Sequence, residues 1–74
     1  MFLKDMKPGE RGTVENINLP FQMEKRLQAL GMTKQTEISV LNRKGRGIVI
    51  VKIRGTRFAL GYQMAKNIEI KKVI

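Results

Sequence analysis

Residues 21–36 read Phe21-Gln22-Met23-Glu24-Lys25-Arg26-Leu27-Gln28-Ala29-Leu30-Gly31-Met32-Thr33-Lys34-Gln35-Thr36. This is the one stretch of the chain with convincing helical periodicity. Met23, Leu27 and Leu30 fall at i, i+4 and i+7 and so share a face, while Glu24, Lys25 and Gln28 lie mostly on the wet side. The pattern predicts a helix over about residues 21–30. Pro20 suits its first turn, where a missing N–H costs nothing, and Asn18 is a candidate cap. Gly31 is the expected stop, because glycine enters the left-handed conformation without a Cβ clash. With Gly31 at C′, Leu27 is C3 and Met32 is C″, the two side chains that a Schellman cap brings together.

Strands are expected on either side of this helix. Thr13 to Ile17 reads as the first, although Val14 and Ile17 would point to opposite faces. Either a bulge lies between them or one is half exposed. Thr36 to Leu41 alternates cleanly, with Ile38 and Val40 inward. Ile48 to Ile53 is β-branched almost throughout; Lys52 and Arg54 set its phase, so that Val49, Val51 and Ile53 face in. Gly55-Thr56 is expected as a two-residue hairpin turn, which pairs Arg54 with Arg57, Ile53 with Phe58 and Val51 with Leu60. Residues 61–67 read as one short helical turn, and Ile68 to Lys71 as a closing strand. About five short strands, tight glycine turns and one helix predict a mainly β protein, a small and partly open β-barrel. The 74 residues are expected to form a single domain.

Fifteen basic and six acidic side chains leave a formal charge of +9. Such an excess on a small domain predicts attraction to something acidic: a protein surface, a nucleic acid or an anionic leaflet. The cations gather at two places. Arg43, Lys44 and Arg46 crowd the stretch 42–47, read as a flexible loop, and Arg54 and Arg57 crowd the next hairpin end. These two loops join successive strands and so lie at opposite ends of Ile48–Ile53, with Lys52 pointing outward between them. Together with the helix residues Leu27, Leu30 and Met32, they are the candidate partner-binding set.

Other chemistry has little to work with. The chain has neither cysteine nor histidine, which removes zinc ligation, an imidazole base and a thiolate nucleophile. Asp5, Glu10, Glu15, Glu24, Glu37 and Glu69 are scattered, without paired spacing. Arg43-Lys44-Gly45-Arg46-Gly47 lacks the Gly-Lys-Ser/Thr ending of a phosphate-cradling loop. Met6, Met23, Met32 and Met64 are dispersed and read as core filling. No catalytic residue, cofactor or metal is implied. The longest apolar run, Ile48 to Val51, is far short of the roughly 20 residues of a membrane span, and the N-terminus lacks the apolar region of a secretion signal. Aromatic residues do not interleave with the cations, so stacking platforms for single-stranded nucleic acid are weakly supported.

The ordered set of residues resembles a known family. It runs Leu3, Gly9, Gly12-x-Val14, then Arg26-Leu27-x-x-Leu30-Gly31-Met32, then Thr36-x-Ile38-x-Val40. Gly47 follows, before the strand Ile48 to Ile53, and then Leu60 and Ala65-x-x-Ile68. This pattern is similar to the FeoA family of bacterial and archaeal ferrous iron uptake, over Leu3 to about Ile70. The resemblance implies an SH3-like barrel and a cytoplasmic, non-catalytic accessory role. The partner it implies is FeoB, a membrane permease with a GTPase domain, which would bring the protein to the inner face of the plasma membrane. The same domain type also ends metal-dependent transcription repressors, but no helix-turn-helix precedes it here. Gln35 departs from the pattern: it stands where the family usually has glycine, and a positive φ there would strain it. Two other readings stay open. One is a small basic nucleic-acid-binding barrel, suggested by charge alone; the other is a metal-sensing or iron-carrying protein, against which the missing histidine and cysteine argue.

Overall fold

The computed structural model describes residues 1–73. A 3-10 turn at Leu3–Asp5 leads into β1 (Arg11–Ile17), α1 (Phe21–Ala29), β2 (Glu37–Lys44), β3 (Ile48–Ile53), β4 (Thr56–Leu60), α2 (Tyr62–Ala65) and β5 (Ile68–Lys72). The strands form one antiparallel sheet in the order β4-β3-β2-β1-β5. The sheet does not close, since β4 and β5 are its edges. The expected five-stranded, mainly β architecture is therefore present, with the helix and the short helical turn where the sequence places them.

The core lies on one side of this sheet. Val14, Ile38, Val40, Val49, Val51, Ile53, Ile68 and Ile70 supply it from the strands, and Leu3, Met6, Leu27, Met32 and Ala65 from the connections. Fully burying one such aliphatic side chain is worth about 1.5–3 kcal/mol. The strand phases read from the sequence hold at each of these inward positions. Met6 and Met32 are core residues, and Met64 packs against the core from its edge.

Helix α1 ends as its sequence predicts. Gly31 takes φ +99°, its N–H donates to the Gln28 carbonyl at 2.9 Å, and the Met32 N–H donates to the Leu27 carbonyl at 2.8 Å. Leu27 and Met32 are both fully buried, so the Schellman cap also carries its apolar lock. The start of the helix differs from expectation. Pro20 itself occupies the cap position, and the Asn18 N–H is spent on the Asn67 carbonyl at 2.9 Å. The apolar face is also narrower than its periodicity suggests: Leu27 is buried, Met23 is half-buried, and Leu30 remains 48% exposed.

Three departures concern the strands. First, β1 begins at Arg11 rather than Thr13, and Gly12 is a strand residue rather than part of a turn. A Cβ there would stand 2.5 Å from Ile70 Cγ2, so β5 can approach β1 only across a glycine. The bulge foreseen between Val14 and Ile17 is present, as a register shift between Val14 and Asn16. Second, β2 continues through Lys44, so residues 42–44 are strand and the turn is Gly45-Arg46-Gly47. Third, the hairpin register is displaced. The turn residues are Arg54 and Gly55, at φ +51° and +81°, and the pairs are Ile53 with Thr56, Lys52 with Arg57, Val51 with Phe58 and Val49 with Leu60. Positive φ at both central residues is the signature of a type I′ turn, whose twist matches the flanking strands. The expected Arg54–Arg57 pairing does not occur. The shift moves each partner by two residues, which leaves every side chain on its expected face. Apolar matching alone could not distinguish the two registers.

Candidate functional site

The strain anticipated at Gln35 is real, with φ at +70°. The Thr36 N–H closes the turn on the Thr33 carbonyl at 3.1 Å, which puts Gln35 at the position where a type II turn favours glycine. The turn is held from both sides. Gln35 N–H donates to the Val14 carbonyl at 2.7 Å, Val14 N–H donates to the Thr36 carbonyl at 2.9 Å, and the buried Thr36 hydroxyl is 2.8 Å from that of Thr33. Among the described residues, Gln35 and Arg54 are the non-glycine residues with positive φ, and both line the same open depression with Thr36, Glu37, Ser39, Lys52 and Gly55.

The residues picked out by charge do not form one cluster. A register shift between Val40 and Asn42 marks a bulge in β2 at Leu41. Beyond it Arg43 pairs with the inward Val49, whereas Lys44 pairs with the exposed Ile48, so the two cations lie on opposite faces of the sheet. Arg43 Nη1 donates to the Met6 carbonyl at 3.0 Å, fastening the N-terminal turn to β2. Arg46 stands at the hairpin tip and is exposed. Lys52 sits directly between Ser39 and Arg57 across the strands, and Arg54 occupies the opposite turn. The stem of Arg54 passes the end of α1, its Cδ 3.6 Å from where a Cβ on Gly31 would be.

Among the helix candidates, Leu27 and Met32 lie wholly in the core and present no surface. Leu30 is the exposed member, close to the Arg54 hairpin through the neighbouring Gly31. Phe21 is 70% exposed and carries Lys25 Nζ 5.0 Å above its ring. Alternation along β2 and β3 places two further apolar residues, Leu41 and Ile50, on the outer face of the sheet. Leu41 and Ile50 line a second depression with Asn42, Lys44 and Arg57. Ile50 follows from the outward phase of β3 and Leu41 from its alternation with the inward Ile38 and Val40, whereas Asn42 and Lys44 reach this face only through the bulge.

The ion pairs among the described residues are Lys4–Asp5 at 2.8 Å, Arg11–Glu37 at 3.9 Å, and Lys72–Glu10. None involves Lys44, Lys52, Arg54 or Arg57. The Asp5 carboxylate, hydrogen-bonded to Lys4, holds the Lys4 ammonium above its ordinary range. Glu10 is held below the ordinary carboxylate range by Lys72 and by the Lys7 N–H, which donates at 2.6 Å. Every buried side-chain polar atom among the described residues has a partner, and no group of three or more carboxylates there is placed to hold a metal ion. Among the described residues, no helix is long and apolar enough to cross a membrane.

The FeoA domain model matches residues 1–72 of this sequence. The chain belongs to the FeoA family. A crystal structure of an iron uptake regulatory protein, FeoA, is 32% identical, with a TM-score of 0.90 over 99% of this chain and 97% of that one. A Stenotrophomonas maltophilia FeoA in complex with zinc is 26% identical, with a TM-score of 0.80 over 96% of this chain and 89% of that one. That protein is described as a prokaryotic SH3 domain protein, with a suggested role as a ferrous iron transport activating factor. A manganese-dependent transcriptional repressor is 25% identical, with a TM-score of 0.89; this FeoA chain spans 99% of itself but 41% of that repressor. No curated protein matches in sequence. The SH3-like fold expected from the sequence is thereby shown for this FeoA protein, which belongs to a family associated with ferrous iron transport.

Proposed function

We propose that this FeoA protein is a non-catalytic accessory factor of ferrous iron uptake that binds and modulates the FeoB GTPase-permease. The observation that carries the reading is a basic surface without internal counter-ions. Lys44, Lys52, Arg54 and Arg57 have no acidic partner among the described residues, in a protein of a ferrous iron transport family. The absence of histidine and cysteine leaves the chain without an imidazole base or a thiolate nucleophile, and no carboxylate cluster among the described residues is placed to hold a metal ion. Such a scaffold acts by touching another macromolecule. Arginine and lysine at a rim speed encounter with an acidic surface and impose a salt dependence.

The test is a pull-down of the detergent-solubilised permease by wild-type protein and by the Arg54→Glu/Arg57→Glu variant. Charge reversal is expected to weaken capture, most strongly at low salt. Equal capture by both proteins removes these arginines from the mechanism. Failure of the wild type to capture the permease removes the reading itself. Tight binding of RNA or DNA with a steep logarithmic salt slope would support a nucleic-acid partner instead.

A further inference from the structure

On the outer face of β2, β3 and β4, side chains fall in cross-strand rows. Ser39, Lys52 and Arg57 form one row; Asn42, Ile50 and Ala59 form the next; Lys44 and Ile48 close the far end. Leu41 joins the middle row: alternation from the inward Val40 places it outward, and the β2 bulge sets Asn42 on the same face beside it, over the depression Leu41 shares with Ile50, Lys44 and Arg57. Apart from Asn42, the middle of the face is therefore apolar. Leu41 is 37% exposed and Ile48 39%, with Ala59 exposed and Ile50 half-buried beside them.

Cations bound this apolar strip at both ends. Lys52 and Arg57 are directly opposed across the ladder, an arrangement of like charges that destabilises a bare sheet. No acidic side chain among the described residues relieves it. Glu37 lines the adjoining depression and faces Arg11 at 3.9 Å. At the other end stands Lys44, also unpaired among the described residues. From the Lys52 row to the Ile48 row is four residues of strand, roughly 13 Å. An apolar centre flanked by unneutralised cations is complementary to a short segment with an apolar residue between acidic ones.

We propose that the outer face of β2–β3–β4 is a docking face for a short acidic segment of a partner protein. The segment's carboxylates meet Lys52 with Arg57 at one end and Lys44 at the other, and an apolar side chain fills the depression lined by Leu41 and Ile50. This deepens the preceding reading, resting on it only for the source of the segment, which is then the permease. It places the contact on the sheet rather than on α1, whose exposed apolar residues Phe21 and Leu30 lie at opposite ends and on opposite sides of the helix.

The experiment has two arms. In the first, a fluorescein-labelled peptide of the form Ser-Glu-Glu-Leu-Glu-Glu-Ser is titrated by anisotropy into the full chain. The control peptide carries glutamine for each glutamate. Wild-type protein is expected to bind the acidic peptide and not the control. The K52E/R57E variant should lose roughly tenfold or more in affinity. I50S should lose several-fold at unchanged charge. The charge-matched variant K25E/R26E on α1 should bind within about twofold of wild type once salt screens long-range attraction. Amide shifts of the labelled protein should cluster at residues 41, 50, 52, 57 and 59. Circular dichroism verifies that each variant is folded. Equal loss in K25E/R26E and K52E/R57E, retained affinity in I50S, or shifts centred on α1 would overturn the docking face. So would an RNA oligonucleotide that binds this face more tightly than the peptide at physiological salt.

The second arm repeats the variants against the solubilised permease. Permease capture that survives K52E/R57E and I50S overturns the face while leaving the permease reading intact. Peptide binding by the face without any permease capture does the reverse.

Discussion

Two glycines flank the tip of the β2–β3 hairpin, and the structure predicts that they differ sharply in tolerance. Gly45 has φ +55° with open space where a Cβ would go. Gly47 has φ +82°, and its Cβ would stand 2.7 Å from Tyr62 Cδ1 and 2.8 Å from Tyr62 Cβ. At Gly45→Ala the left-handed backbone costs roughly 1–2 kcal/mol. The loss of unfolded-state freedom returns about 0.4–1 kcal/mol, leaving a small net destabilisation. Gly47→Ala carries the same backbone terms plus an overpacking cost of about 1–3 kcal/mol. The overlap involves the Tyr62 Cβ as well as its ring, so a rotamer change alone does not remove it and the start of α2 must yield. The two variants should therefore differ by roughly 1.5 kcal/mol, equivalent to about 6–12 °C in Tm for a domain of this size. Thermal unfolding followed by circular dichroism reads the difference. The Tyr62→Gly background isolates the steric part, because it removes the Cβ together with the ring, and Gly47→Ala should there cost little more than Gly45→Ala does in the same background. If the two alanine variants unfold together in the wild-type background, the close approach of Tyr62 to Gly47 is not a constraint and the reasoning fails.

Three further expectations follow from other parts of the chain. Leu27→Ala removes a fully buried side chain that also forms the apolar half of the helix stop, and should cost about 3 kcal/mol in chemical denaturation; a loss under 1 kcal/mol (about a fivefold change in the folding equilibrium) would mean that the helix barely contributes to the core. Gln35→Gly relieves a left-handed residue and should raise the urea midpoint by the equivalent of about 0.5 kcal/mol, whereas Gln35→Ala, which keeps the strain, should not. Glu10 is held below its ordinary range in the folded state, so its contribution is present above the unfolded carboxylate value and lost as pH falls through the depressed folded one. The stability gap between wild type and Glu10→Gln should accordingly shrink on acidification from neutral pH, and a gap that widens would contradict the Lys72 and Lys7 contacts.

The sequence by itself carried the features that depend on neighbours along the chain. The strain at Gln35 was implied only by the family resemblance, whereas helical period, the glycine stop with its Leu27–Met32 lock and the inward phase of the strands belong to this kind. Each follows from local geometry: side chains repeat at 3.6 or 2 residues, and only glycine enters the left-handed region freely. The lack of histidine and cysteine likewise limited the chemistry before any coordinates. The features that needed the tertiary structure are those set by pairing at a distance. The β3–β4 register moved by two residues, which preserves the inward and outward faces and so leaves no trace in the apolar pattern. The bulge at Leu41 sent Arg43 to the Met6 carbonyl and Lys44 to the outer face, dividing what had read as one basic loop. Leu30 stayed exposed because the core cannot accept the whole helix face in so thin a domain. Charge was legible as an amount, but its arrangement around Leu41 and Ile50 was decided by which strands lie side by side.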